Sequence, residues 1–149
     1  MEITVGELAA AMNAAGFDAR LAPDIRVEIW TKLIGNLSYN PVAALALAHM
    51  NDINGSEALL GLIRALMVEA MRVAEAYGVR VPMTVDERIG VAKELAGAKI
   101  SMHQDVEKRR PLETDAIVGA VVELARKAGI ATPMIDAVYA LIAERAKHI

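Results

Sequence analysis

The chain of 149 residues is long enough for one domain with a buried core, and its formal net charge is −3. It contains no cysteine, which excludes disulfides, thiolate metal sites and cysteine nucleophiles and favours a cytoplasmic protein. Aromatic residues make up only 3% of it and charged residues interrupt every apolar segment, so neither a nucleic-acid interface nor a membrane span is predicted.

Helical periodicity dominates from the first residues onward and predicts an all-α, multi-helix bundle. The N-terminus lacks the basic and apolar regions of a signal peptide. Thr4 and Glu7 have the spacing of a capping box for a first helix, and Gly16 is suited to end it. Residues 17–22 are expected to form a short extended link to the next helix.

The second helix is expected to begin at Pro23 and Asp24. Its predicted apolar face includes Ile25, Ile29, Leu33 and Leu37. Pro41 has no backbone N–H, so we expect a kink or a break there, with helix resuming to about Ala48.

The rest of the chain alternates helical patterns with caps and stop signals. We expect a polar connector over residues 49–55, a helix from Glu57 to Tyr77 ended by Gly78, and a helix from Val85 to Leu95 capped by Thr84. After these we expect a loop with one helical turn over residues 98–110, a helix from Pro111 or Leu112 to the residue before Gly129, and a last helix capped by Thr132, with Pro133 at its first position, to about Lys147. The total is six or seven helices.

A row of polar side chains lies inside the second helix. Lys32, Asn36 and Asn40 are spaced four residues apart, so they share one side of an otherwise apolar helix. Asparagine is a poor residue inside a helix and buried amides need hydrogen-bond partners, so a small polar ligand is a natural candidate. The alternatives are an exposed polar stripe and, for Asn40, a cap where Pro41 interrupts the helix.

A second concentration of polar side chains occupies residues 101–105 and 111–115. On pattern alone, a structural interpretation is favoured here. Asp105 or Thr114 would cap a helix, and Glu113 would be a first-turn carboxylate stabilised by the helix dipole.

Sequence motifs for metal and phosphate binding are absent. His49, His103 and His148 lie at no spacing typical of metal ligands, so each is expected to face solvent or to lie in a loop, and no metal site is predicted. The chain also contains no glycine-rich signature for a phosphate or a dinucleotide.

Four groups of residues follow one another in an order that resembles a known family. They are Trp30, Lys32, Asn36, Asn40 and Pro41; Ser101, Met102, Gln104 and Asp105; Arg110, Pro111, Leu112, Glu113, Asp115, Ile117 and Gly119; and Gly129, Ile130, Thr132 and Pro133. In this order and at these intervals they resemble the C-terminal domain of ketopantoate reductases (2-dehydropantoate 2-reductases), a helical domain like that of 6-phosphogluconate dehydrogenase-like proteins. The resemblance covers nearly the whole chain from about residue 20.

The resemblance implies the NADPH-dependent reduction of 2-ketopantoate, or of a related 2-keto acid, to the 2-hydroxy acid, a step of pantothenate biosynthesis. Lys32 falls on the catalytic lysine of the family, whose ammonium polarises the keto oxygen and delivers the proton. Asn36, Asn40 and Ser101 match substrate-binding residues. Glu113 falls on the active-site glutamate, where it would pair with the lysine or contact the cofactor ribose.

Departures from the family pattern affect the substrate prediction. Residues 48–55 do not align cleanly with the stretch that provides a further substrate-contacting asparagine, and Asn51 is the candidate for that role. Ala98 stands where some members carry another asparagine, and His103 replaces an aliphatic residue. Because the loss of a hydrogen-bond partner changes which acid is accepted, the exact 2-keto acid is not predicted.

The resemblance also implies a Rossmann domain that would precede this region and bind NADP(H). We therefore expect residues 1–20 to be a remnant of the linker or helix that leaves the cofactor domain, and residues 21–149 to form the helical substrate-binding domain. This chain alone is expected to bind no cofactor and to be inactive. The alternative hypothesis is a helical dimerisation module without catalytic activity, because surface that the other domain would cover favours a homodimer.

Overall fold

The computed structural model describes residues 3–95, 97 and 99–149. The elements are α1 (Val5–Ala14), α2 (Ile25–Ala46), α3 (Met50–Gly55), α4 (Glu57–Ala76), α5 (Val85–Glu94), α6 (Ser101–Glu107), a π-helical turn (Asp115–Gly119), α7 (Ala120–Ala128) and α8 (Pro133–Ala146). These residues contain no β-strand, so the predicted all-α fold is confirmed. None of the described helices is both long and apolar enough to cross a membrane.

Helix α2 is the centre of the bundle. It packs against α3, α4, α6, α8 and the π-helical turn, and nearly all of its residues from Ile34 to Ala44 are buried. Of the kink or break predicted at Pro41, the break does not occur: the helix continues to Ala46 with the proline itself buried. The residues on both sides of Pro41 lie in the core, and their packing outweighs the cost of about 3 kcal/mol for a proline inside a helix.

The first turns of α2 are more exposed than the sequence predicts. Ile25 and Ile29 are 60% and 55% exposed, whereas Leu37, on the same predicted face, is buried. Helix α1 likewise buries none of its residues. The N-terminal part of the chain therefore presents apolar side chains at the surface, because periodicity identifies an apolar face but not whether another element covers it.

Two segments that were predicted to be irregular contain short helices. Helix α3 occupies most of the polar connector over residues 49–55, and α6 is the helical turn predicted within residues 98–110, extended to seven residues. Each of these short helices packs on the rest of the protein through a buried side chain, Ile53 in α3 and Met102 in α6. The helix expected from residues 111–112 begins later, as the π-helical turn that leads into α7. Tertiary packing therefore decides the structure of these weakly patterned segments.

The predicted helix caps and stops are confirmed where they involve residues only a few positions apart in the chain. Thr4 and Thr84 each close a capping box with the glutamate three residues later. Gly16, Gly78 and Gly129 adopt positive φ angles of 90°, 73° and 68° at the predicted helix ends. These ends need a left-handed residue, which glycine provides without a steric penalty.

The last helix is capped by a side chain from α4 instead of by its own threonine. Thr132 makes no capping hydrogen bond, contrary to the prediction. The carboxylate of Glu69, which is only 5% exposed, accepts the backbone N–H groups of Met134 at 3.1 Å and Ile135 at 2.9 Å. A carboxylate at this position satisfies two unpaired donors and is stabilised by the helix dipole. It joins two helices that are about 65 residues apart in the chain.

We expect Glu69→Gln to lower the free energy of unfolding by about 1–3 kcal/mol, because the amide keeps one acceptor but turns an NH₂ group towards a backbone N–H. Urea denaturation followed by circular dichroism measures the change. Glu75→Gln, at an exposed position of the same helix, is the matched control. Equal midpoints for the two variants would show that the buried carboxylate contributes no stability.

Candidate functional site

The polar row predicted on the second helix runs from the surface of α2 into the bundle. Lys32 is exposed, Asn36 is half-buried and Asn40 is 7% exposed. At a rise of about 1.5 Å per residue the row is roughly 12 Å long. The same side of one helix thus carries an accessible ammonium at one end and a buried carboxamide at the other.

The two carboxamides of this row have no partners among the described residues. Of the side chains from Lys32 to Asn40, only those of Ser38 and Tyr39 form hydrogen bonds there. Ser38 donates to the Ile34 carbonyl at 2.8 Å, within the helix. A buried polar residue normally has a partner, so Asn40 is suited to receive a polar ligand, and the half-buried Asn36 is accessible to the same ligand.

Lys32 lines an open cleft of about 280 Å³ between α2 and α5. Its lining residues are Glu28, Thr31, Lys32, Met83, Arg88, Val91 and Leu95. Three of these side chains are apolar and three are charged. The cleft therefore combines an apolar wall of Met83, Val91 and Leu95 with charged groups, a combination common in small-molecule sites.

Arg88 is a cleft residue that the sequence interpretation missed. Its guanidinium lies against α2 at Gly35, where an added Cβ would be 2.5 Å from Cζ and 2.9 Å from Nε. Only glycine leaves room for the guanidinium in this place. The signal in the sequence was Gly35 itself, since a glycine inside a helix costs about 0.5–1 kcal/mol and calls for a structural reason.

Tyr39 lies one helical turn after Gly35 and is buried. Its hydroxyl donates a hydrogen bond to the Asn54 side-chain oxygen at 3.0 Å. Burial raises the pKa of Tyr39, while the positive charges of Arg88 and Arg64 act in the opposite direction. The amide nitrogen of Asn54 is buried without a hydrogen-bond partner in the described part of the chain. This pair joins α2 to α3.

The other predicted site residues lie on elements that pack near α2. Ser101 is exposed at the start of α6, and Glu113 is exposed just before the π-helical turn; both of these elements contact α2. Asn51 is exposed on α3. None of these three residues lines the cleft that contains Lys32, and neither do Asn36 and Asn40, so the convergence of the predicted site residues on one pocket stays a prediction. Ala98 lies outside the described residues.

The histidines do not form a metal site in the described residues, which contain no group of three or more His, Asp or Glu ligands suited to a metal ion. His103 is buried within α6, so the prediction that it faces solvent or lies in a loop was wrong. Its ring centroid lies 5.0 Å from that of His49, and its Nε2 lies 3.8 Å from Glu107 Oε1. The packing of α6 on α2 encloses it, which sequence spacing does not reveal.

Comparisons with known proteins point to one family. The family model described as ketopantoate reductase PanE/ApbA C terminal matches residues 24–146. The chain is 47% identical over 135 residues to a 2-dehydropantoate 2-reductase of Mesorhizobium japonicum, a match that covers 91% of this chain and 41% of the relative.

Solved structures agree with this result. The 2-dehydropantoate 2-reductase of Methylococcus capsulatus matches with a TM-score of 0.89 and 32% identity, covering 97% of this chain and 50% of that one. A dimeric ketopantoate reductase of Staphylococcus aureus matches with a TM-score of 0.82 and 25% identity, covering 96% and 50%. The chain thus spans half or less of the length of these relatives.

We expect Asn40→Leu to change the free energy of unfolding by less than about 1 kcal/mol, because it replaces an unpartnered amide with an apolar group of similar size. Tyr39→Phe, one residue away, removes a hydrogen bond and should cost about 0.5–1.5 kcal/mol. Urea denaturation compares the two. A larger loss for Asn40→Leu than for Tyr39→Phe would mean that Asn40 serves the fold and not a ligand.

Proposed function

Because this chain belongs to the family of ketopantoate reductase C-terminal domains, we propose that it is the substrate-binding part of an oxidoreductase. The reaction is the NADPH-dependent reduction of 2-ketopantoate, or of a related 2-keto acid, to the 2-hydroxy acid. The observation that carries the proposal is the row on α2, an accessible Lys32 in a cleft followed by the unpartnered carboxamides of Asn36 and Asn40.

Lys32 is the proposed proton donor. Its ammonium is exposed at the cleft, where it would contact the keto oxygen of a bound acid. A positive charge at that oxygen polarises the carbonyl and stabilises the alkoxide that develops as the carbonyl carbon is reduced. The ammonium then transfers a proton to the alkoxide, which gives the hydroxyl group of the product.

The remaining predicted residues are proposed to orient the substrate. Asn36 and Asn40 would donate and accept hydrogen bonds along the row, and Ser101 would bind the acid from the start of α6. Asn51 is the less supported candidate, on α3. Glu113 is proposed to pair with the lysine or to contact the cofactor ribose from the segment before the π-helical turn.

The cofactor is proposed to be held mainly by a Rossmann domain in the part of the relatives that this chain does not match. NADPH supplies the hydride when it is bound there. The contribution of this chain is then to position the keto acid and to supply the proton. This chain matches only 41% and 50% of the length of two relatives, which leaves room in them for a separate cofactor-binding domain.

The test joins this chain to the N-terminal part of the Mesorhizobium japonicum relative. The hybrid is expected to oxidise NADPH with 2-ketopantoate, followed by absorbance at 340 nm. Lys32→Ala should lower kcat by roughly 10²–10⁴-fold, the range for loss of a general acid. Lys127→Ala, at an exposed position of α7 outside the cleft, is the control and should keep full activity.

Two results would contradict the proposal. Unchanged turnover in Lys32→Ala would exclude this lysine as the proton donor. A folded hybrid that binds NADPH but reduces no 2-keto acid would exclude the function as a whole.

A second candidate function is dimerisation, and the exposed apolar side chains of the N-terminal region favour it. They are Ile3, Val5, Leu8, Met12, Phe17, Leu21, Ile25 and Ile29. Exposed apolar residues in this number favour association with another surface. One relative of known structure is described as a dimeric ketopantoate reductase.

We expect the purified chain to form a dimer that dissociates on dilution, measured by analytical ultracentrifugation between 1 and about 100 µM, a range in which interfaces of moderate affinity dissociate. Leu8→Ser should weaken the dimer at least tenfold, since it removes an apolar group from α1. Leu141→Ser, at a similarly exposed site on α8, is the control. A monomer at every concentration would rule out this function.

A further inference from the structure

We propose that Arg88 binds the carboxylate of the substrate and that Gly35 creates the space in which it does so. This inference rests on the proposed function and extends it, because it assigns the two adjacent polar groups of a 2-keto acid to two different cations. Arg88 would hold the carboxylate, while Lys32 serves the keto oxygen.

The Arg88 guanidinium is placed in the cleft without a protein partner. It is half-buried, and no hydrogen bond or ion pair reaches it from the described residues. Arg64, on the neighbouring helix, is different, because it forms an ion pair with Asp86 that joins α4 to α5. That pair fixes the first turn of α5, from which Arg88 extends towards α2.

Gly35 fixes where the guanidinium lies. It is three residues after Lys32, so the two positions are neighbours on the surface of α2. With no Cβ at Gly35, the guanidinium rests directly against the helix, and Arg88 and Lys32 line the same cleft. The effect of Arg88 on the pKa of Tyr39, one turn further along α2, agrees with this placement.

The charges of the cleft suit a single anion. Lys32 and Arg88 contribute two positive charges and Glu28 one negative charge, and no described ion pair joins Glu28 to either cation. The guanidinium fork matches the two oxygens of a carboxylate, whereas an ammonium acts as a point charge. In a 2-keto acid the carboxylate and the carbonyl are adjacent, so neighbouring cations are able to bind both groups.

The apolar wall indicates the rest of the ligand. Met83, Val91 and Leu95 line the cleft beside Arg88. An aliphatic substituent on the keto acid would contact these residues, and its burial would contribute about 0.8 kcal/mol per methylene group. The cleft is therefore suited to an aliphatic substituent next to the keto and carboxylate groups.

The test uses this chain and three probes with the same carbon skeleton. They are 3-methyl-2-oxobutanoate, 3-methylbutanoate, which lacks the keto group, and 3-methyl-2-butanone, which lacks the carboxylate. Binding is followed by NMR through the Arg88 Nε–H, the Lys32 Nζ and the Asn36 side-chain amide. We expect both acids to shift the Arg88 signal and the keto acid to shift Lys32 and Asn36 as well.

Two variants separate the role of Arg88 from its effect on folding. Arg88→Gln should weaken both acids at least tenfold and leave the ketone unchanged. Gly35→Ala keeps the arginine but displaces the guanidinium, which is the mobile end of its side chain, and should weaken the acids to a similar extent. Gly61→Ala, in α4 with open space around the added Cβ, is the control and should bind like the original chain. Backbone amide spectra establish that each variant is folded.

The outcomes distinguish the inference from the proposed function. Unchanged binding of both acids by folded Arg88→Gln or Gly35→Ala would overturn the role of Arg88, while keto-acid shifts at Lys32 would leave the proposed function intact. Equal binding of both acids through Arg88, without a response at Lys32, would support the carboxylate site and contradict the reductase function. No binding of any probe by the original chain would overturn both.

Discussion

The enclosure of α2 is the constraint on which the rest of this structure depends. From Ile34 to Ala44 the helix is surrounded by α4, α6, α8 and the π-helical turn. A polar side chain on such a helix bonds to its own backbone, as Ser38 does, bonds to a neighbouring helix, as Tyr39 does, or faces a gap between the helices. Lys32 faces such a gap, the cleft between α2 and α5, so the position of the candidate site depends on the side of α2 that its neighbours leave open.

Helix α4 supplies the polar contacts that hold this enclosure together. Glu69 caps α8, Arg64 pairs with Asp86 of α5, and the Tyr77 hydroxyl donates to the Leu124 carbonyl of α7 at 3.0 Å. Each of these groups already has a structural partner. Lys32 and Arg88 have no such partner in the described residues, which is the physical basis for giving them a role in binding.

Gly35 lowers the stability of α2 and at the same time makes room for a charged group of the candidate site. A glycine in mid-helix weakens α2, yet it lets the charged end of Arg88 lie against the helix. The family assignment suggests which reaction is carried out, while this contact concerns which acid is accepted. A lysine and an arginine in one cleft select ligands by their negative charge, and the apolar wall selects among acids by the shape of their substituent.

The sequence by itself determined the features that depend on residues a few positions apart. Helical periodicity gave the all-α class, the boxes at Thr4 and Thr84 gave two helix starts, and the four-residue spacing gave the row on α2. The tertiary structure alone decided the features that join distant segments: the unbroken helix at Pro41, the cap from Glu69, the burial of His103, and the place of Arg88 over Gly35. Backbone hydrogen bonding acts within about one helical turn and is therefore readable in order along the chain, whereas burial and charge pairing depend on which helices pack together.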